Sequence, residues 1–156
     1  MKFNNPNNFQ YYLLATLFTL HFLNGWSIDT LQVHSPSGRI TVKVWMAREL
    51  NYQVFFNNRK ILESSLIDLL LDKERRLSIN NPIKSSAVNK IRAQIISPVP
   101  EKRKLVTDEY NLLTLIFRQP YRVEFRAYDD GVAYRISTGF KDSVYIINEV
   151  AHFSFR

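Results

Sequence analysis

Apolar and polar residues alternate along most of the chain beyond position 28, and the alternation is clearest between Tyr121 and Thr138, YRVEFRAYDDGVAYRIST. Val123, Phe125 and Ala127 fall on one side of an extended chain and Arg122, Glu124 and Arg126 on the other, the period of a half-buried strand. Asp129, Asp130 and Gly131 supply a side-chain acceptor and a glycine free to take positive φ, after which Val132, Tyr134 and Ile136 resume the pattern. The segment predicts a β-hairpin. Asp-Asp-Gly lacks the acidic residue at every second position that a calcium loop would show, so a turn is the better reading.

The same period predicts the other elements. Ile28 to His34 reads as a strand and Ser35-Pro36-Ser37-Gly38 as a tight turn. Ile40, Val42, Val44 and Met46 alternate with polar neighbours and Trp45, and Leu50, Tyr52, Val54 and Phe56 alternate again, which predicts an antiparallel meander. Asn57-Asn58 turns the chain into Arg59 to Leu62. Ser65 to Leu71 fits a short helix face as well as a strand, and its length and β neighbours favour the strand. Asp72 to Lys90 is polar and without period, so a loop is expected there, with room for a short strand. Ile91, Ala93 and Ile95 alternate before Pro98 and Pro100 interrupt them. Tyr110 to Phe117 is apolar on both sides, with Leu112 and Ile116 on one face and Leu113, Leu115 and Phe117 on the other, the pattern of a central strand covered on both faces. Val144 to Ile147 and Val150 to Phe155 complete the set as two strands. About ten short strands with almost no helical period predict an all-β chain, and an antiparallel β-sandwich over a barrel.

The first residues break from this pattern. Met1 to Gln10 is polar with one positive charge at Lys2, Tyr11 to Leu23 carries no charge, and Asn24-Gly25-Trp26-Ser27 returns to small and polar residues apart from Trp26. That order predicts a secretory signal peptide over 1–27, cut near Ser27, with the mature domain at 28–156. The apolar run of about 13 residues falls short of the roughly 20 that a membrane-spanning helix needs. The mature chain is therefore expected outside the cytoplasm, periplasmic or extracellular, with no membrane span.

Composition narrows the chemistry. The 156 residues, 46% of them hydrophobic, suffice for one domain with a sizeable core, and the absence of cysteine rules out disulfides and thiolate metal sites. The net charge of +7 invites a nucleic-acid reading, because Lys84, Lys90, Arg92, Lys102, Arg103 and Lys104 gather in one third of the chain. Export and the lack of interleaved stacking aromatics favour a solvated face instead. Hydrolysis of a glycosidic bond needs two flanking carboxyl groups. Asp108 and Glu109 are adjacent and so point to opposite faces of a strand, and Asp129 and Asp130 are explained by the turn. His21 belongs to the signal, and His34 and His152 accompany no serine motif. No catalytic and no metal-binding residue is assigned. Trp45, Tyr128 and Tyr145 are the candidates for stacking on sugar rings, with ordinary packing the simpler account of each.

Five stretches in order, SPSGRITVKV, LNYQVFFNNRKIL, PVPEKRKLVTDEYNLLTLIF, YRVEFRAYDDGVAYR and INEVAHFSF, resemble the N-terminal domain of glycoside hydrolase family 97. The resemblance covers Ile28 to Arg156, and Val123 to Arg135 is its most specific part. It implies a galactose-mutarotase-like super-sandwich placed before a (β/α)8 catalytic barrel, in exported α-glucosidases or α-galactosidases that degrade polysaccharides and use calcium. The apolar face of Ala151, Phe153 and Phe155 continues to the penultimate residue, so a sandwich incomplete at the C-terminus and a longer parent polypeptide are expected. The family's catalytic carboxylates lie in the barrel. Its calcium-binding carboxylate from the sandwich cannot be placed on Glu149 or on any other position here. The expectation is a non-catalytic supporting domain, its partners the barrel and, through the parent enzyme, carbohydrate. The alternative is a stand-alone exported sandwich that binds a glycan or a protein.

Overall fold

The computed structural model describes residues 29–72, 75–99 and 104–155. The signal peptide expected over 1–27 lies outside the described residues, as do Lys102 and Arg103. Nine strands are described: β1 (Thr30–His34), β2 (Ile40–Met46), β3 (Leu50–Phe56), β4 (Arg59–Leu71), β5 (Ile83–Ile96), β6 (Leu105–Phe117), β7 (Tyr121–Ala127), β8 (Val132–Thr138) and β9 (Ile146–Ala151). They form a five-stranded sheet in the order β1-β2-β3-β4-β9 and a four-stranded sheet in the order β5-β6-β7-β8, every pair antiparallel. The all-β sandwich read from the periodicity is the fold. Among the described residues no helix is long and apolar enough to cross a membrane.

Alternation explains the core. Val33, Val42, Val44 and Tyr52 of one sheet and Leu113, Leu115, Val123 and Phe125 of the other are buried between the layers. Each large apolar side chain so buried contributes about 1.5–3 kcal/mol. Tyr52 and Phe125, with ring centroids 5.6 Å apart, join the sheets near the middle. The expected β7–β8 hairpin is present, with Phe125 opposite Tyr134 and Val123 opposite Ile136.

The turns follow their residues with one exception. Asn57 and Asn58 have φ of 48° and 62°, the left-handed geometry that asparagine tolerates and that matches the twist of a two-residue hairpin. Gly38 at φ 75° closes the β1–β2 turn, its amide donating to the Ser35 carbonyl at 2.9 Å. Gly131, expected to use its freedom at positive φ, lies outside that region. The Tyr128 amide and the Gly131 carbonyl close the β7–β8 turn at 2.9 Å without it.

Four element assignments change in three dimensions. Arg59–Leu62 and Ser65–Leu71 are one strand, β4, whose register with β3 shifts around Val54. Much of the loop expected over 72–90 is strand: β5 begins at Ile83, since the long β6 offers it backbone partners along its whole length and an edge strand exposed on both faces needs no alternation. The two closing strands are one strand, β9, followed by an isolated bridge from Phe155 to Leu62. β6 is central but covered on one face only, with Ile116 36% exposed. Its outward Leu112 and Ile116 stand opposite Arg126 and Arg122.

Candidate functional site

An apolar opening lies where β8 ends the four-stranded sheet. It is a groove of about 380 Å³ between β8 and the β3–β4 hairpin, lined by Tyr52, Phe56, Ile61, Val132, Tyr134, Phe153 and Phe155 among others, with Asp129 and Asp130 at its rim. Alternation builds it. Tyr52, Val132 and Tyr134 face inward, while Phe153 and Phe155 continue the inward spacing of β9 past its last paired residue. Phe153 is 56% and Phe155 76% exposed.

Polar groups tie the groove's walls together. The Tyr134 hydroxyl donates to the Glu149 carboxylate at 2.8 Å, linking the edge strands β8 and β9 of the two sheets. Burial, with the Glu149 carboxylate adding to it, pushes the Tyr134 hydroxyl well above the tyrosine range, so it stays a neutral donor. The Tyr52 hydroxyl, also raised by burial, donates to the His152 carbonyl at 3.2 Å. Asp129 accepts from the hydroxyl of Ser37 at 2.7 Å and from its amide at 2.8 Å. These two bonds hold the Asp129 carboxyl below its ordinary range. A glycosidic acid must hold its proton near neutral pH, which is the opposite environment. The groove suits an apolar segment.

The other sequence candidates are scattered. Asp108 and Glu109 are consecutive in β6 and face opposite sides, with Glu109 3.7 Å from Arg92. His34 Nδ1 lies 2.9 Å from the Thr41 hydroxyl, and His152 lies in the chain after β9, where its amide donates to the Leu66 carbonyl at 2.9 Å. Trp45 borders a shallow outer-face depression with Thr30, Lys43 and Gln53. Tyr128 packs against Tyr110 with centroids 4.9 Å apart, and the Arg126 guanidinium lies 4.8 Å over the Tyr110 ring. A hydrogen bond to Tyr128 raises the Arg126 pKa. Tyr145 is exposed, and its carbonyl accepts from the Asp72 amide at 3.1 Å. The three aromatics lie on different parts of the sandwich and form no common platform. Among the described residues no three His, Cys, Asp or Glu side chains gather as a metal site.

Two buried carboxylates escaped the periodicity. Glu124, on the outer face of β7, is 6% exposed and ion-paired to Arg122 and Arg135. Asp68 interrupts the apolar run of β4, is 2% exposed, and accepts from the Ser78 hydroxyl at 2.8 Å and the Ser78 amide at 3.0 Å. A lone acid inside an apolar run was the available signal for Asp68.

Comparison with known proteins agrees with this geometry. The family model described as Glycosyl-hydrolase 97 N-terminal matches residues 33–156. The chain belongs to this family. As a member it is 32% identical over 121 residues to a retaining alpha-galactosidase of Bacteroides thetaiotaomicron, covering 78% of this chain and 18% of that protein. Among solved structures, a glycoside hydrolase family 97 enzyme from Pseudoalteromonas sp. strain K8, in complex with panose in one structure and acarbose in another, superposes with a TM-score of 0.70 at 24% identity. It covers 80% of this chain and 20% of that one. A beta-arabinopyranosidase superposes at 0.68 with 22% identity over 81% of this chain and 21% of its own. These structural likenesses carry the fold. The chain spans about one fifth of each relative's length.

Proposed function

We propose that the chain is the non-catalytic N-terminal sandwich of an exported α-glycoside hydrolase, of the α-glucosidase or α-galactosidase type, that acts in polysaccharide degradation. Its role is to support a (β/α)8 barrel that carries the catalytic carboxylates. One observation carries this reading: the family match runs over residues 33–156, from the end of β1 through β9, and its counterpart in the retaining alpha-galactosidase is 18% of a longer enzyme. The dispersed carboxylates and the apolar groove support it, because a docking domain needs apolar surface and no acid–base pair.

Among the described residues no three candidate ligands gather, so no complete calcium site is assigned to this chain; the resemblance implies that a sandwich gives one carboxylate to an ion held mainly by the rest of the parent enzyme.

The test is hydrolysis of aryl α-glucoside and α-galactoside, with and without calcium, by residues 28–156 and by the polypeptide of the complete reading frame. Activity is expected in the complete polypeptide alone. Activity of residues 28–156 would overturn the supporting role, and inactivity of both would favour a stand-alone module that binds a glycan or protein.

A further inference from the structure

Strands β5 and β6 run farther than the sandwich requires. β6 pairs with β7 only over Asn111–Ile116, whereas β5 follows β6 from Ile83 to Ile96. Ile91–Ile96 and Leu105–Tyr110 therefore continue as a two-stranded arm, and β6 is the one strand against which β5 packs extensively. An isolated two-stranded ribbon is marginal in water.

The arm is apolar on both faces only at its tip, since nearer the sandwich the face of Ile96 carries Arg92 opposite Glu109 and Gln94 opposite Thr107. Its register sets Ile95 beside Val106 on one face and Ile96 beside Leu105 on the other, the four side chains between 46% and 67% exposed. A ribbon laid on a flat surface would bury one face and alternate with polar residues on the other. Apolar pairs on both faces call for cover on both faces, as in a cleft.

Charge bears on what provides that cover. The arm itself carries Arg92 against Asp108 and Glu109, with Lys104 beside its tip and Lys84 and Lys90 farther along β5, and the chain as a whole carries +7, so a second copy would bring like charges together. In the relatives about four-fifths of the polypeptide lies outside the part matched here. We propose that the arm is a clasp whose tip inserts into an apolar cleft on the catalytic barrel of the parent hydrolase. The clasp rests on the reading above, in which such a barrel is joined to this sandwich.

The absence of cysteine gives a clean test. Ile95→Cys and Ile96→Cys place one thiol on each face, and reaction with a maleimide is timed in this chain and in the complete polypeptide, with the unsubstituted polypeptide as background. Both thiols are expected to react rapidly in this chain and at least tenfold more slowly in the complete polypeptide. Hydrogen exchange of the Arg92–Ile96 amides, which needs no substitution, is expected to slow in the same comparison. Rapid labelling and exchange in a polypeptide that hydrolyses α-glycosides would overturn the clasp and leave the proposed function standing. Protection of one thiol only would overturn insertion into a cleft. Protection already present in this chain and growing with concentration would make a second copy the occupant, and a reading frame without a barrel would overturn both proposals.

Discussion

Asp129 lies 92 residues from Ser37 in the chain, yet its carboxylate is the acceptor for both the hydroxyl and the amide of that residue. An acidic residue placed by sequence to cap its own turn instead caps the β1–β2 turn of the facing sheet. The contact makes the sandwich sensitive to acid. Asp129 titrates below its ordinary 3.8, so its stabilisation is complete above that value and is lost as pH falls through the lower folded-state value. Asp129→Asn keeps an acceptor oxygen but removes the charge. The melting temperature of the unsubstituted chain is expected to fall more steeply than that of the variant as pH drops below about 4. Equal slopes in a thermal melt series would show that Asp129 does not carry the acid sensitivity. Glu124 is a different case: its two arginines follow from the cross-strand register of β7 and β8 and from the spacing within β7, so its burial comes paired with compensation.

At the scale of elements, local chemistry was decisive where the backbone had few choices. Asn57 and Asn58 both sit in the left-handed region, which β-branched side chains resist. Asn58→Val is expected to cost about 1–2 kcal/mol in denaturant unfolding, and Asn58→Gly to cost little or nothing. Comparable losses for the two would mean that the asparagine side chain, not the backbone geometry, holds the β3–β4 turn. Periodicity misled where pairing partners mattered more than burial. Ile83–Lys90 has no alternating pattern and is nonetheless strand, since β6 supplies the hydrogen bonds. Asp68 breaks the apolar run of β4 without ending the strand, because Ser78 and the Leu69 amide satisfy its carboxylate.

At the scale of the molecule the two sheets are unequal. Five strands face four, and Phe153 and Phe155 extend past β9 beside a groove that β8 does not close. Clustered exposed apolar side chains of this kind mark interaction surface or an aggregation hazard. Residues 28–156 on their own are expected to bind a hydrophobic dye, and the double substitution Phe153→Ser and Phe155→Ser to reduce the fluorescence severalfold. A monomeric, cooperatively melting domain without dye binding would show that the groove is covered by other means. The β5–β6 arm makes a second uncovered surface at the other edge of the sandwich. Groove and arm lie on opposite edges, an arrangement that fits a domain held by a larger body.

The sequence by itself determined the fold class, the β7–β8 hairpin, the meander of β2 and β3 and the two-residue asparagine turn, because alternation and turn chemistry act between near neighbours. The ordered likeness of five stretches determined the family for the same reason: their described residues fall largely on the strands and turns on which the sandwich is built. Only the tertiary structure decided that Asp129 serves Ser37, that Tyr134 and Glu149 join the edges of two sheets, and that β5 outruns its core. Each of these depends on which distant strands become neighbours, and a period of two along the chain says which face a residue takes without saying what that face will meet.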